Sequence, residues 1–289
     1  MTKDEQSKMK NSPSTFPILK ARVTIVSSRS PLAAERPLMV FIPGGPGLSS
    51  ATLRSMDILR RSFDLAYVDP PGTGGLPVPQ KPTFERVIHA IEAELIMLRR
   101  PMVLCGHSFG GLYATLLAHR GKLNLKGLVA MDTPLSAESF SVAGAQYAQY
   151  LTPELRQAQD EWERSPSRDT YLKWVGSYGL LFFLEGANEQ GRAFLGQDQV
   201  SYEVALESER SGLPKMDFIE CLRLAKVPKF MFAGSHDHLL PPQALERDAH
   251  RAGFEFGEVK NAGHFITFDQ PEVVAGMIED RFIDNNKKE

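Results

Sequence analysis

The sequence predicts an α/β fold, in which a mostly parallel sheet is flanked by helices and carries an inserted helical cap. Short apolar segments typical of buried strands alternate with amphipathic segments of helical period along most of the chain. The alternation stops between residues 135 and 222, where only amphipathic helical patterns occur. We therefore expect a core formed by residues 17–134 and 223–289, a cap at 135–222 and a flexible tail at 1–16.

The elements follow one another in the order that a parallel sheet with crossover helices requires. Predicted strands, each a short apolar run, lie at residues 19–26, 37–42, 63–68, 101–105, 127–131, 228–233 and 254–259. Predicted helices lie at residues 83–100, from 112 onward and at 271–282, where apolar residues recur every three or four positions. Helices are therefore expected on both faces of the sheet.

Composition excludes several classes of protein. The 33 Lys and Arg residues nearly balance the 35 Asp and Glu residues, so we expect no nucleic-acid partner. Two cysteines, Cys105 and Cys221, are too few for a disulfide framework or a cysteine-rich metal site. No apolar run resembling a signal peptide or membrane anchor occurs before Phe16, which favours a cytoplasmic protein with no membrane partner.

One serine lies between two glycines at a predicted junction of strand and helix. The segment Gly106-His107-Ser108-Phe109-Gly110 directly follows the apolar run at 101–105. This order is typical of a nucleophile elbow, a sharp turn that presents a serine hydroxyl. Glycines on either side suit such a turn because the strand and the helix pass closely there. Ser108 is therefore the predicted nucleophile.

A serine nucleophile needs a base to accept its proton and an acid to orient that base. Asp237 follows the predicted strand at 228–233, and His264 follows the one at 254–259. Both would reach the carboxyl edge of the sheet, where loops of parallel strands meet. The predicted triad is Ser108, Asp237 and His264. Asp132, which follows the strand at 127–131, is the alternative acid.

Other histidines compete for the role of base. We expect His107 to point away from Ser108 and to pack in the interior, because side chains alternate along a strand. His236 and His238 flank Asp237, but no matching ligand cluster occurs elsewhere in the sequence, so we expect no metal and no cofactor. His89 and His119 fall on predicted helices, where we expect no catalytic role.

A glycine-rich loop follows the predicted strand at 37–42. Its sequence is Pro43-Gly44-Gly45-Pro46-Gly47, and it allows the backbone to approach a substrate closely. An oxyanion formed during acyl transfer requires N–H donors fixed in advance. We expect those donors to be the backbone amides of Gly45 and Phe109.

These motifs together resemble the α/β-hydrolase fold family and, within it, the proline iminopeptidase branch of serine peptidases. That branch carries a His-Gly-Gly-Pro-Gly loop and an Asp-x-x-Gly-x-Gly turn, to which residues 43–47 and 69–74 correspond. The resemblance covers roughly residues 19–282. It implies a serine hydrolase that forms an acyl-enzyme, without a cofactor, on a small-molecule or short-peptide substrate.

The chain departs from that branch at Pro43, which replaces a loop-shaping histidine. In the branch, acidic cap residues bind the free amino terminus of the substrate, and here the cap contains 14 acidic and 7 basic residues. Glu185, Glu203 and Glu207 are the candidates for that contact. An aminopeptidase is therefore one hypothesis. The alternatives are a carboxylesterase acting on small apolar acyl esters and a non-catalytic receptor that binds a small ligand.

Overall fold

A seven-stranded sheet runs through the computed structural model, which describes residues 18–78, 80–210 and 217–283. The strands are β1 (Arg22–Val26), β2 (Leu38–Ile42), β3 (Leu65–Asp69), β4 (Met102–His107), β5 (Leu125–Met131), β6 (Lys229–Gly234) and β7 (Glu255–Val259). Their order in the sheet is β1-β3-β2-β4-β5-β6-β7. Only the edge strand β1 runs antiparallel to its neighbour. The predicted tail at 1–16 lies outside the described residues.

Eleven α-helices occur in the described part of the chain. They are α1 (Phe84–Met97), α2 (Phe109–Arg120), α3 (Ala137–Gln149), α4 (Pro153–Arg164), α5 (Arg168–Gly176), α6 (Asn188–Gly196), α7 (Tyr202–Glu209), α8 (Ile219–Arg223), α9 (Pro242–Ala252), α10 (Ile266–Asp269) and α11 (Pro271–Phe282). Three 3-10 segments lie at Pro31–Glu35, Ser50–Arg61 and Gly179–Leu181. None of the described helices is long and apolar enough to span a lipid bilayer.

Helices cover both faces of the sheet, which confirms the predicted fold class. Alternate residues of the central strands point to opposite sides, as the pleat requires. Val40 and Leu104 pack with α1 and α2 on one face, whereas Phe41 and Cys105 pack with the 3-10 segment Ser50–Arg61 and α11 on the other. Both faces of the sheet are therefore buried, which explains why these strands are continuous apolar runs.

The sequence analysis did not predict the 3-10 segment Ser50–Arg61. Its buried side chains Leu53, Met56 and Leu59 recur every three residues, a spacing that suits a 3-10 helix because positions i and i+3 lie on one side. The predicted helix at 83–100 ends earlier, at Met97. Arg99 has a φ of 49°, which is incompatible with a continuing helix.

Helices α3 to α8 lie between β5 and β6, and the described residues of that interval contain no strand. A buried carboxylate connects the first of these helices to the core. Asp248 of α9 accepts hydrogen bonds from the Leu135 amide (2.9 Å) and from the hydroxyls of Ser136 and Ser139 (both 2.7 Å). The start of α3 is therefore held against α9 by three donors on one carboxylate.

Helix α2 approaches strands β4 and β2 too closely for side chains at two glycines. A Cβ added at Gly106 would lie 2.4 Å from the carbonyl oxygen of Gly110. A Cβ at Gly110 would lie 2.2 Å from the carbonyl oxygen of Ile42 in β2. Both neighbours are backbone atoms inside the fold, so neither can move aside cheaply. The two glycines are required by the fold at this junction.

We expect Gly106→Ala to lower the free energy of unfolding by about 1–3 kcal/mol, because the added methyl overpacks the junction. The matched control is Gly144→Ala in α3, where an added Cβ meets nothing within 4 Å. That change should raise stability by about 0.5–1 kcal/mol, since alanine favours a helix interior over glycine. Urea unfolding of both variants measures the difference, and equal effects would contradict the close approach.

Candidate active site

Ser108 occupies the turn between β4 and α2. Its backbone has φ 50° and ψ −120°, a conformation that serine rarely adopts. The turn is held on both sides, because the Ser108 amide donates to the Met131 carbonyl (2.7 Å) and its carbonyl accepts from the Gly111 amide (2.9 Å). The side chain is half-buried, and the residue lies directly after the carboxyl end of β4.

His264 and Asp237 lie beside this serine. His264 Nε2 is 3.0 Å from Ser108 Oγ, and His264 Nδ1 is 2.8 Å from Asp237 Oδ2. Asp237 Oδ1 accepts hydrogen bonds from the amides of Leu239 (2.9 Å) and Leu240 (2.8 Å). His264 and Asp237 are each 2 % exposed. The structure thus brings the three predicted residues into one hydrogen-bonded chain, in which the Asp237 side chain accepts three N–H hydrogen bonds.

Two further residues fix the position of His264. The ring of Phe182 stacks on the imidazole, with centroids 5.1 Å apart and an interplanar angle of 13°. The Phe182 carbonyl also accepts a hydrogen bond from the His264 amide (2.9 Å). His107 Nε2–H donates to the His264 carbonyl (2.7 Å). The sequence analysis did not identify Phe182, because nothing in its local sequence indicates that the segment before α6 reaches the sheet edge.

His107 itself is fully enclosed. Burial lowers the pKa of its imidazole to about 3, so the ring is neutral near neutral pH. The ring supports the backbone of His264, which alone of the histidines contacts Ser108 Oγ among the described residues. The remaining competitors lie elsewhere: His236 is exposed and contacts Ser235, and His238 stacks on Tyr150 of the segment after α3. Exposed His89 and His119 lie on helices α1 and α2.

Asp132 lies next to the same histidine but does not bond to it. Its Oδ1 accepts a hydrogen bond from the Gly234 amide (2.9 Å). Burial, together with the neighbouring charge of Asp237, raises the pKa of the Asp132 carboxyl well above its usual range. One oxygen or nitrogen from each of Asp132, Asp237 and His264 lies within 4.8 Å of the others. Both nitrogens of His264 already contact protein side chains, so the ring has no nitrogen free for a metal ion.

The glycine-rich loop lies directly beside the elbow. A Cβ added at Gly44 would be 3.0 Å from Ser108 Cβ. Gly45, with a φ of 114°, lines both cavities that open on Ser108, and Phe109 lines the larger one. Both residues predicted to supply oxyanion donors therefore border the space next to the serine hydroxyl.

Residues from the helices between β5 and β6 hold this loop in place. The Tyr171 hydroxyl donates to the Pro46 carbonyl (2.5 Å), and the Ser201 amide donates to the Gly47 carbonyl (2.8 Å). A Cβ at Gly47 would lie 2.2 Å from the Ser201 carbonyl oxygen, so the two segments touch through their backbones. The loop is therefore clamped between the sheet and the inserted helices.

Two buried carboxylates hold consecutive amides just after the loop. Asp198 Oδ2 accepts from the Ser49 amide (2.9 Å), and Asp69 Oδ1 accepts from the Ser50 amide (2.9 Å). Asp69 is in turn paired with Arg22. Burial raises the pKa of the Asp198 carboxyl. Asp69 begins the Asp-x-x-Gly-x-Gly turn noted in the sequence, whereas no sequence pattern indicates Asp198, whose contact partner is 149 positions away.

Two apolar cavities meet at Ser108. The larger, of about 230 Å³, is lined mainly by carbon atoms of Leu112, Pro134, Phe140, Ala143, Leu239 and Leu240. The smaller, of about 20 Å³, lies under the aromatic face of the inserted helices and is lined by Tyr171, Phe182 and Phe265. Among the described residues that line these cavities, none carries a carboxylate.

The three acidic residues considered as binders of an amino terminus lie away from these cavities. Glu185 is exposed. Glu203 accepts a hydrogen bond from the Ser201 hydroxyl (3.0 Å), and Glu207 forms an ion pair with Arg210 (3.2 Å). The structure does not bring any of the three together with Ser108. Their carboxylates are exposed to solvent or bound to nearby residues, as is usual for charged residues on helix surfaces.

The fold is similar to that of several proteins of known structure. An esterase from Thermogutta terrifontis superposes with a TM-score of 0.68 at 18% identity, covering 90% of this chain and 92% of that chain. A proline iminopeptidase from Mycobacterium smegmatis gives 0.66 at 19% identity, covering 93% and 97%. A proline iminopeptidase-related protein from Thermus thermophilus gives 0.68 at 20% identity, covering 91% and 94%.

Comparison by sequence identifies the family of the chain. No curated protein matches the chain by sequence. A family model described as the alpha/beta hydrolase family matches residues 39–277, which span the sheet from β2 to the last helix. This match confirms the resemblance that the elbow and the glycine-rich loop indicated. The chain belongs to the alpha/beta hydrolase family.

Proposed function

We propose that the chain is a serine hydrolase in which Ser108 attacks an acyl carbon and forms an acyl-enzyme. The observation that carries the proposal is the hydrogen-bonded chain from Ser108 Oγ through His264 to Asp237, with distances of 3.0 and 2.8 Å. These distances suit proton transfer from the hydroxyl to a neutral imidazole. An adjacent base of this kind is what activates an otherwise weak hydroxyl nucleophile.

The proposed reaction begins when His264 Nε2 accepts the Ser108 proton while Oγ bonds to the acyl carbon. Asp237 accepts the hydrogen bond from His264 Nδ1–H and stabilises the imidazolium that forms. Backbone N–H groups of Gly45 and Phe109 would stabilise the negative oxygen of the tetrahedral intermediate. Collapse of this intermediate breaks the bond to the leaving group, which takes the proton from His264. Water then attacks the acyl-enzyme in the same way, with His264 accepting its proton. The carboxylic acid product leaves, and Ser108 regains its proton from His264.

Of the substrate classes considered, an ester with a small apolar acyl or alcohol group is the one we propose. The larger cavity beside Ser108 has a volume of about 230 Å³ and is lined largely by aliphatic and aromatic carbon. A cavity of about 150 Å³ with comparable lining holds benzene in another protein. An aminopeptidase needs a carboxylate to pair with the ammonium group of its substrate, because burying an unpaired cation is costly. The described lining residues offer no such group.

A fluorophosphonate probe should label the wild-type protein covalently at Ser108, and Ser108→Ala should abolish labelling. Hydrolysis of 4-nitrophenyl esters should fall by about 10⁴-fold or more, as when other serine triads lose their nucleophile. The matched control is Ser235→Ala, because Ser235 Oγ also lies close to a histidine nitrogen, 2.7 Å from His236 Nδ1, but on the exposed surface. We expect this control to label normally.

Mass spectrometry of the labelled peptide identifies the modified serine. Persistent labelling of Ser108→Ala would contradict the assignment of the nucleophile. A folded wild-type protein that neither labels nor hydrolyses any ester would instead favour the non-catalytic receptor.

Asp237→Asn should lower the acylation rate constant by about 10³–10⁴-fold, since the amide stabilises the wrong tautomer of His264. Asp132→Asn serves as the control and should change the rate constant by less than about threefold, because Asp132 makes no hydrogen bond to the imidazole. Stopped-flow measurement of the nitrophenol burst reports acylation directly. The reverse order of effects would transfer the role of triad acid to Asp132.

Lengthening the acyl chain from acetate to butyrate should raise kcat/KM by roughly 15-fold, since each buried methylene contributes about 0.8 kcal/mol. Ala143→Phe should remove this preference, because Ala143 lines the larger cavity. Ala145→Phe on the exposed side of the same helix is the control. Proline 4-nitroanilide should be a poor substrate for all three proteins. Faster turnover of the anilide than of butyrate would restore the aminopeptidase hypothesis.

A further inference from the structure

Two buried carboxyl groups lie side by side beneath His264. Asp132 is fully buried and Asp237 is 2 % exposed. A carboxylate oxygen of Asp132 lies within 4.8 Å of a carboxylate oxygen of Asp237. Two carboxylates at such a distance, away from water, cannot both remain ionised without a large electrostatic cost. One proton is therefore expected between them near neutral pH.

The surrounding donors decide which carboxyl keeps that proton. Asp237 accepts three hydrogen bonds, from His264 Nδ1 and from the amides of Leu239 and Leu240. Asp132 accepts one, from the Gly234 amide, and its Oδ2 has no N–H or hydroxyl donor among the described residues. Donors favour the ionised form of the group that receives them. Asp237 is consequently the carboxylate, and Asp132 is the carboxylic acid.

We propose that Asp132 is a positioning residue, a protonated carboxylic acid at neutral pH whose O–H donates a hydrogen bond to the Asp237 carboxylate. This contact gives the Asp237 carboxylate a fourth donor. The positioning role rests on the proposed serine hydrolase mechanism, whereas the location of the proton does not.

The other titratable groups around Asp132 are consistent with a single negative charge at this site. His264 is bound to Asp237, and His107 is kept neutral by burial. Asp269 of α10 adds a further repulsion that favours the protonated form of Asp132. Asp269 accepts a hydrogen bond from the Gly263 amide at 2.8 Å. No described cation forms an ion pair with Asp132.

Infrared difference spectroscopy tests the location of the proton without reference to activity. The spectrum of wild type minus Asp132→Asn at neutral pH should contain the C=O band of a protonated carboxylic acid, which shifts in D₂O. Asp132→Asn preserves the shape of the side chain, and asparagine tolerates the Asp132 φ of 46°. In Asp237→Asn the band should disappear at a lower pH than in wild type, because the neighbouring negative charge is gone.

Kinetics test the positioning role. Asp132→Asn retains an N–H donor and should keep kcat within about threefold of wild type. Asp132→Gly also accommodates the positive φ but has no donor, and kcat should fall by at least tenfold with little change in KM. Urea unfolding confirms that each variant is folded before comparison.

The outcomes separate the two proposals. Absence of the carboxylic-acid band, or equal kcat for the Asn and Gly variants, would overturn the inference about Asp132 while leaving Ser108 labelling as evidence for the hydrolase. A band that is present in a protein that neither labels nor hydrolyses esters would support the proton location and contradict the proposed function.

Discussion

The close approach of β4 to α2 is the constraint on which the candidate site depends. At Gly106 helix α2 leaves no space for a side chain, and at Gly110 the backbone of β2 leaves none. The turn between β4 and α2 holds Ser108 at a positive φ. A backbone in such a region costs on the order of 1–3 kcal/mol and persists only when its surroundings hold it. The packed sheet and the bond to the Met131 carbonyl do so here. As a result the Ser108 hydroxyl lies within hydrogen-bonding distance of His264.

Buried carboxyl groups hold several other segments around the candidate site in place. Asp237 orients His264, Asp69 and Asp198 hold successive amides beyond the glycine-rich loop, and Asp248 ties α3 to α9. A buried carboxyl group must find hydrogen-bond donors, because a polar group without a partner in the interior is costly. Each of these carboxyl groups therefore accepts at least one hydrogen bond from a residue 19 or more positions away in the chain. The same requirement, applied to a carboxyl with a single donor, leads to the inference that Asp132 keeps its proton.

The inserted helices present different chemistry on their two sides. Glu185 is exposed to solvent, and the carboxylates of Glu203 and Glu207 are paired locally. Phe182 and Tyr171 face the core and border the smaller cavity at Ser108. The negative charge of this segment therefore gives little information about the space that it covers. Apolar side chains, rather than the acidic ones, set the chemistry that a substrate would meet.

The sequence by itself determined the fold class, the seven strands and the serine of the elbow, because apolar periodicity and glycine spacing are local properties. It placed His264 and two candidate acids, Asp237 and Asp132, after strands, and the structure decided that Asp237 is the acid bonded to His264. Only the tertiary structure decided that Asp198 holds the Ser49 amide, that Phe182 stacks on His264 and that no candidate glutamate reaches the cavities. Those contacts join residues far apart in the chain, and which side chains face one another is set by packing that no local pattern encodes.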